Sequence, residues 1–369
     1  MNFSNNSISN LKKLVNPKKF GKILIISGKK SYFASGANKL IKQVLIDKET
    51  YLFLKKNKIP EIKELEKIIS YLRFIKPDLI IAIGGGSVID YAKIANTLHP
   101  EKNLKKQIIN SDYGKIKKIA KLLAIPTTAG TGAEVTANAV IYIDKIKFSV
   151  EGDFLIPNYF IIIPELILKA KKILKASSGF DAISQAIESI ISKKSTDESV
   201  EFALKSLKIS LKYYLEHLRN PTITNSYKMC LAANYSGKAI SISKTTAPHA
   251  LSYPFTAHYG ISHGHAVSLT LNDFLIFNFK SIKHSNCKFD LKKRYIQIFN
   301  VANISNINDF NFFINNIKKK AGLENNFSKL GINIKKALPK ILEEVNDQRL
   351  SNNPIDITKN DIKNILLKK

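Results

Sequence analysis

Between residues 22 and 125, short apolar runs alternate with stretches of helical periodicity, and this alternation restricts the possible folds most strongly. Strands joined by helical crossovers form a parallel sheet whose two faces are both covered. We therefore predict an α/β, Rossmann-like domain built on a parallel sheet. The predicted strands are 22–27, 50–54, 78–83, 121–125, 140–144, 147–150 and 159–163, with a helix over 61–74.

The pattern changes near Pro164 and is mostly helical from there on. The predicted helices are 165–174, 180–192, 198–218, 226–241, 265–279, 303–318 and 332–345. A chain of 369 residues is also too long for one typical core. We predict two domains, an α/β domain over residues 1–164 and an all-α domain over residues 165–369.

The charge is strongly positive, with 58 Lys and Arg against 29 Asp and Glu, a net charge of +29. A basic surface attracts nucleic acid, but these lysines are spread along the whole chain and no nucleic-acid-binding motif accompanies them. We expect neither a nucleic-acid nor a membrane partner, since no apolar run approaches the length of a membrane span. The first twenty residues lack the apolar centre of a signal peptide, and two cysteines are too few for a disulfide framework, so we expect a cytoplasmic protein.

A glycine-rich turn follows the third predicted strand and opens a helix. Gly84, Gly85 and Gly86 allow the backbone to approach a bulky anion, and Ser87 can donate to a phosphate oxygen. In a parallel sheet this turn lies where ligands bind, at the carboxyl end of a strand. The alternative is a tight turn that binds nothing. A second turn, residues 126–134, carries hydroxyls and glycines that can line a cofactor, although such clusters are also ordinary loops.

The C-terminal half contains a set of candidate metal ligands. Asp181 is predicted near the start of a helix with Gln185 four residues later on the same face. His249 and His263 are predicted at two helix starts. A carboxylate and two imidazoles suit a divalent metal, and four of the seven histidines fall between residues 249 and 265.

Four segments, in this order, give the chain a family resemblance. It resembles the iron-containing (group III) alcohol dehydrogenases in GGGSVIDYAK (84–93), IPTTAGTGAEVT (125–136), FDAISQAIES (180–189) and HALSYPFTAHYGISHGHA (249–266). The resemblance implies an N-terminal domain that binds NAD(P). It also implies a helical domain that holds one divalent metal, Fe²⁺ or Zn²⁺, in a cleft between the domains, and we expect a homodimer.

The resemblance also implies the roles of residues. Asp181, His249 and His263 match three family ligands, and Gln185 stands where the family has a histidine as the fourth. Tyr253 replaces a further histidine of many members. His258 and His265 are candidate catalytic residues that would relay a proton or bind an anion, an expectation that depends only on their proximity in sequence to these ligands. The expected cofactor-binding residues are Gly84, Gly85, Gly86, Ser87, Asp90, Lys93, Thr127, Thr128 and Thr131.

The residues after the second strand bear on the choice of cofactor. An acidic residue there normally binds the ribose hydroxyl of NAD, but this chain has Lys55 and Lys56, with no Asp or Glu before Glu61. A lysine attracts a 2′-phosphate. We therefore predict that Lys55 contributes to binding NADPH and that NADPH is preferred over NADH.

In its site segments the chain looks most like the branch that includes phosphonoacetaldehyde reductases, which reduce phosphonoacetaldehyde to 2-hydroxyethylphosphonate. A sugar acid is the next candidate substrate, followed by a simple alcohol. Two other functions stay open: a dehydroquinate-synthase-like lyase, which shares the fold and its cofactors, and a nucleotide-binding protein without turnover.

Overall fold

The structure, a computed structural model, describes residues 7–15, 20–98, 103–113, 116–345 and 347–368. The chain divides into two compact units. Unit 1 comprises Met1–Thr128 and Gly132–Ala170, and unit 2 comprises Ala129–Thr131 and Lys171–Lys369. The domain boundary that the sequence predicts at Pro164 stays a proposal, because compactness alone does not show that either unit folds by itself.

Unit 1 is built on a five-stranded parallel sheet in the order β2-β1-β3-β4-β7. Its strands are β1 (Lys22–Gly28), β2 (Glu49–Lys55), β3 (Leu79–Gly84), β4 (Lys121–Pro126) and β7 (Tyr159–Phe160). The central strands β1 and β3 are almost entirely buried. Successive residues alternate between two apolar cores, with Leu24 and Ile26 in one and Ile23 and Ile25 in the other. Both faces of the sheet are therefore covered, which confirms the predicted fold class.

The helices of unit 1 are α1 (Ser7–Leu14), α2 (Lys29–Ala34), α3 (Ala37–Val44), α4 (Ile62–Ile75), α5 (Gly86–Thr97), α6 (Leu104–Asn110) and α7 (Glu165–Leu168). Helices α4 and α5 pack on one face of the sheet, while α1 and α3 pack on the other. The remaining strands, β5 (Asn138–Ile143) and β6 (Ile146–Glu151), form a separate antiparallel hairpin. Its turn residues Asp144 and Lys145 both have positive φ, as tight hairpin turns require.

The regular secondary structure of unit 2 is helical in its described residues, again as predicted. Its helices are α8 (Lys172–Ile191), α9 (Asp197–Arg219), α10 (Ile223–Ser243), α11 (Ala247–Tyr259), α12 (His263–Lys280), α13 (Leu291–Ala302), α14 (Ile307–Ala321), α15 (Ile334–Glu344), α16 (Asp347–Leu350) and α17 (Lys359–Leu367). Helix α8 is buried on all sides from Gly179 to its end, as expected for a helix inside a bundle. None of the described helices is both long and apolar enough to cross a membrane.

The start of α8 differs from the prediction. Two helices were expected over 165–174 and 180–192, but α8 begins at Lys172 and continues through Gly179, so Asp181 lies in mid-helix. The helix continues through Gly179, where the absence of a side chain leaves room for a residue of the next helix. A Cβ there would lie 2.6 Å from the Tyr214 ring of α9.

Candidate active site

Three predicted ligands from three helices converge in unit 2. Asp181 projects from the middle of α8, His249 from the first turn of α11, and His263 is the first residue of α12. Asp181 Oδ1 lies 3.3 Å from His249 Nε2 and 3.8 Å from His263 Nε2. One potential ligand atom from each residue lies within 4.8 Å of the other two. Residues far apart in sequence therefore direct donor atoms at one point.

This arrangement fits a divalent cation. Donor atoms placed tetrahedrally around a metal at about 2.1 Å are about 3.4 Å apart, close to the distances found. His249 Nε2 is buried, and its 3.3 Å approach to Asp181 Oδ1 does not have the geometry of a good hydrogen bond. A buried polar atom in that state is costly unless something binds it, and two imidazoles with one carboxylate suit Zn²⁺ or Fe²⁺.

Glu188 orients His249, and the sequence reasoning missed it. The fully buried Glu188 carboxylate accepts hydrogen bonds from His249 Nδ1 and, on its other oxygen, from the backbone N–H and hydroxyl of Thr246 at 3.0 and 2.9 Å. Because Nδ1 donates to Glu188, Nε2 faces Asp181. The spacing of Asp181, Gln185 and Glu188 at i, i+4 and i+7 was the signal, since it gives α8 a polar stripe inside a buried helix.

The charges around His249 favour a cation. Burial lowers the pKa of His249, but the carboxylates of Glu188 and Asp181 raise it more, to about 9. The two carboxylates therefore hold a positive charge on the imidazole, and a metal ion bound at Nε2 would replace the proton there.

His263 is positioned by the residues of α11. The Ser252 hydroxyl donates to the His249 carbonyl at 2.8 Å and lies 3.3 Å from His263 Nδ1, so it can accept the proton of that nitrogen. The Tyr253 ring stacks on the His263 ring at 5.9 Å and 13°. Both contacts leave Nε2 directed towards Asp181.

A glycine allows α12 to approach α8. A Cβ on Gly264 would lie 2.0 Å from the Ser177 carbonyl oxygen and 2.7 Å from Asp181 Cβ. The Ser177 hydroxyl also accepts the backbone N–H of His265 at 3.1 Å. This close contact brings His263, the neighbour of Gly264, to the Asp181 carboxylate.

The other two predicted site histidines have different partners. His258 Nε2 lies 2.6 Å from a Glu344 carboxylate oxygen. His265 Nε2 lies 2.7 Å from the backbone carbonyl oxygen of Glu324, and burial lowers its pKa. The structure therefore groups neither with Asp181, His249 and His263, and their proposed catalytic role gains no support from these contacts.

The glycine-rich turn of unit 1 joins β3 to α5. A side chain at position 84 would clash, since a Cβ there would lie 2.5 Å from Val88 Cγ2. Gly85 precedes the helix in extended conformation and no side chain caps the helix start. Gly85, Gly86 and Ser87 are half-buried. An uncapped helix N-terminus beside partly accessible glycine backbone is a suitable anion site.

The predicted threonines fall in both units. The Thr127 N–H donates to the Gly84 carbonyl at 2.9 Å, and Thr128 Cγ2 lies 3.4 Å from where a Cβ on Gly85 would be. Thr127 and Thr128 therefore adjoin the glycine-rich turn. Thr131 belongs to unit 2.

Lys93 does not extend towards a ligand. Its fully buried ammonium donates to the Thr136 carbonyl and hydroxyl, both at 2.8 Å, and to the Asn138 carbonyl at 3.1 Å. Burial lowers its pKa to about 8, against the opposing effect of Asp90. Burial also raises the pKa of the half-buried Asp90 to about 6, against the opposing charge of Lys93. Lys93 therefore supports the structure of unit 1.

Lys55 also points inward. It is 6% exposed, and its ammonium donates to the carbonyls of Asn57 and Lys58 at 2.6 and 3.4 Å. The predicted contact between Lys55 and a cofactor phosphate gains no support, because the turn after β2 already binds this ammonium.

Two family models cover nearly the whole chain. The model described as "Iron-containing alcohol dehydrogenase" matches residues 1–164, and "Fe-containing alcohol dehydrogenase family, C-terminal" matches residues 175–369. The chain belongs to the iron-containing alcohol dehydrogenase family. The resemblance inferred from the sequence is thereby confirmed, and with it the assignment to a family of oxidoreductases.

Named relatives of this chain act on different substrates. The chain is 33% identical to the phosphonoacetaldehyde reductase of Streptomyces viridochromogenes over 56% of its own length and 55% of the relative. It is 32% identical to the 4-hydroxybutyrate dehydrogenase of Clostridium kluyveri over 51% of each chain. The matched part thus spans about half the length of these two relatives.

Solved structures of the family match more completely. Sulfoacetaldehyde reductase from Bifidobacterium kashiwanohense, in complex with NAD⁺, superposes with a TM-score of 0.87 and 25% identity, covering 99% of this chain and 95% of that one. A 1,3-propanediol oxidoreductase reaches the same TM-score at 20% identity, covering 99% and 96%. The same fold therefore extends over nearly all of the chain that the structure describes.

Proposed function

We propose that this protein is a metal-dependent aldehyde reductase that uses a reduced nicotinamide cofactor. The convergence of Asp181, His249 and His263 carries the proposal, because these side chains also match ligands of the family. Its substrate is proposed to be phosphonoacetaldehyde, which it reduces to 2-hydroxyethylphosphonate.

The proposed roles follow from the contacts. Asp181, His249 and His263 would hold one divalent metal, Fe²⁺ or Zn²⁺, which supplies Lewis-acid polarisation of the substrate oxygen. Glu188 and Ser252 fix the two imidazoles so that their Nε2 atoms face Asp181. Such supporting hydrogen bonds keep a ligand in the correct tautomer and orientation.

The turn from Gly84 to Ser87 is proposed to bind the cofactor pyrophosphate at the start of α5. The reaction balances as a hydride from the nicotinamide to the carbonyl carbon and a proton to the carbonyl oxygen. The aldehyde becomes an alcohol and the cofactor is oxidised.

We propose that Lys56, rather than Lys55, contacts the 2′-phosphate of NADPH. The Lys56 side chain is exposed, and its backbone N–H is held by a Glu64 carboxylate oxygen at 2.6 Å. An exposed ammonium after β2 can attract a 2′-phosphate, whereas the ammonium of Lys55 is already bound.

Lys56→Gln should raise KM for NADPH about twofold to fivefold and leave KM for NADH unchanged, since it removes one partly screened charge contact. Steady-state kinetics with both cofactors measure this, and Lys58→Gln, which removes another exposed lysine of the same turn, is the matched control. An equal rise in KM for NADH would show that Lys56 does not recognise the 2′-phosphate.

Two observations support an anionic aldehyde as the substrate. A phosphonoacetaldehyde reductase and a sulfoacetaldehyde reductase are both among the relatives, and both names denote an aldehyde with an acidic substituent. The net charge of +29 also favours encounter with an anion. A sugar acid and a simple alcohol remain the alternative substrates.

The test is oxidation of NADPH, followed by its absorbance, when metal-loaded protein is given phosphonoacetaldehyde or acetaldehyde. We expect much faster oxidation with the phosphonate. Brisk reduction of acetaldehyde alone would overturn the proposed substrate and retain the reductase. A dehydroquinate-synthase-like lyase would give no net oxidation, because its cofactor is regenerated in each turnover.

A protein that binds nucleotide without turnover would also oxidise no NADPH. Restoration of oxidation by Gln185→His would then identify Gln185 as the cause of the missing activity.

A further inference from the structure

The Gln185 amide makes two hydrogen bonds that determine how it faces the metal ligands. Gln185 Nε2 donates to Asp181 Oδ2 at 3.1 Å, and Gln185 Oε1 accepts from the Ser236 hydroxyl of α10 at 3.0 Å. Gln185 and Ser236 are buried. The amide nitrogen, which cannot serve as a metal ligand, therefore faces Asp181, and the amide oxygen faces α10.

The reverse orientation of the amide is unfavourable. The Ser236 hydroxyl has a second possible acceptor, the Ala233 carbonyl at 3.0 Å, and would then accept from a flipped Gln185 Nε2. That flip would put Oε1 about 3 Å from the Asp181 carboxylate oxygen, with no hydrogen between two acceptors. An ionised carboxylate needs a donor there, so Asp181 fixes the amide orientation.

The hydrogen bond from Gln185 also gives the two carboxylate oxygens of Asp181 different surroundings. Oδ2 is bound by Gln185, while Oδ1 is the oxygen that lies 3.3 Å from His249 Nε2 and 3.8 Å from His263 Nε2. A carboxylate held in this way offers one oxygen to a metal. Gln185 thereby selects the oxygen and its direction.

We propose that this chain holds its metal with three side chains, Asp181, His249 and His263, and that Gln185 is a positioning residue rather than the fourth ligand. The inference rests on the metal dependence proposed above. The centre then has two imidazoles and one monodentate carboxylate, with one position more for water or a small oxygen ligand than a four-ligand site of the family would leave.

The test counts the water molecules bound to Mn²⁺ in the full-length protein. Mn²⁺ takes six donors, so three protein ligands leave about three waters, whereas a fourth ligand from Gln185 leaves about two. Line broadening of the Mn²⁺ electron paramagnetic resonance spectrum in ¹⁷O-enriched water gives this number without any measurement of activity. A count of two in the wild-type protein would overturn the proposal.

Variants make the test independent of that single count. Gln185→Leu should weaken metal binding about 10- to 100-fold, because Asp181 loses its orienting donor, and leave the water count unchanged. Gln185→His should remove one water, because imidazole supplies a ligand. Ser184→Ala is the matched control, since Ser184 lies beside Gln185 on α8 and donates only to the Phe180 carbonyl.

One extra water in Gln185→Leu would show that a ligand was lost and would overturn the proposal. If that variant does not fold, Gln185→Asn keeps a buried amide but withdraws its oxygen, and the same count applies. Failure of the wild-type protein to bind Mn²⁺ or Co²⁺ at all would also overturn it. A protein with three waters but no reductase activity would retain this inference and reject only the proposed function.

Discussion

Helices α5 and α8 both carry charged residues in buried positions, but the two charged groups have different interaction partners. On α5 the Lys93 ammonium has three oxygen acceptors from its own unit, at 2.8, 2.8 and 3.1 Å. On α8 the Asp181 carboxylate meets two imidazoles, and the 3.3 Å approach of His249 Nε2 to Asp181 Oδ1 is not a well-formed hydrogen bond. The difference separates a polar group that stabilises its own unit from one that is arranged for a bound ion.

The largest effect is expected from removal of a ligand. Asp181→Ala should weaken Zn²⁺ or Fe²⁺ binding by more than about 100-fold, beyond the loss expected for a supporting residue, because one of three donors disappears. Competition with a chelator measures the affinity, with Ser184→Ala as the control on the same helix. Unchanged affinity would place the metal elsewhere.

Lys93→Met should affect stability and not metal binding. It removes the ammonium donor from the Thr136 and Asn138 carbonyls and the charge that most lowers the pKa of Asp90, which should lower the free energy of unfolding by about 3 kcal/mol. Chemical denaturation followed by circular dichroism gives this value, and the exposed Lys67→Met is the control. A large loss of metal affinity in Lys93→Met would break the distinction between the two helices.

Glu188→Gln tests the support of a ligand without removing one. The amide keeps an acceptor for one donor but loses the charge that binds both Thr246 and His249, so metal affinity should fall about 10- to 100-fold while one metal is still bound. Chelator competition and metal content measure both, with Glu344→Gln, the partner of His258, as the control. Complete loss of metal would show that Glu188 is itself required for metal binding and does not only orient His249.

The smallest effect concerns Asp90 and pH. Burial raises its folded-state pKa to about 6 from the ordinary 3.8, so the stability contributed by its protonated form is present below about 3.8 and lost as pH rises through about 6. Asp90→Asn should therefore gain about 2 kcal/mol in unfolding free energy relative to wild type between pH 4 and 7. Denaturation across this range measures it, and the exposed Asp112→Asn is the control. A difference that did not change with pH would mean that Asp90 is not desolvated.

Sequence patterns predicted the α/β and all-α units because strand and helix periodicity depend on neighbouring residues. The convergence of Asp181, His249 and His263 was predicted through the family resemblance, since no local pattern relates residue 181 to residue 263. The continuous helix through Gly179 was not predicted, because it depends on packing of the Tyr214 ring.

Side-chain direction was the main limit of the sequence reasoning. Lys55 and Lys93 fall in segments that suggest a ligand contact, yet both ammonium groups bind carbonyls of their own unit. Glu188 carried a readable signal at i+7 from Asp181, but its role depends on the Thr246 donors at the start of α11. The sequence motifs therefore predicted where the site lies, and the three-dimensional contacts show which of its side chains lie next to one another.

Anomalous diffraction from crystals grown with Zn²⁺ tests the central claim most directly. The account predicts one peak about 2.0–2.2 Å from Asp181 Oδ1, His249 Nε2 and His263 Nε2, and none beside Asp90 and Lys93. A peak at α5, or no peak between the three side chains of unit 2 at saturating metal, would contradict it.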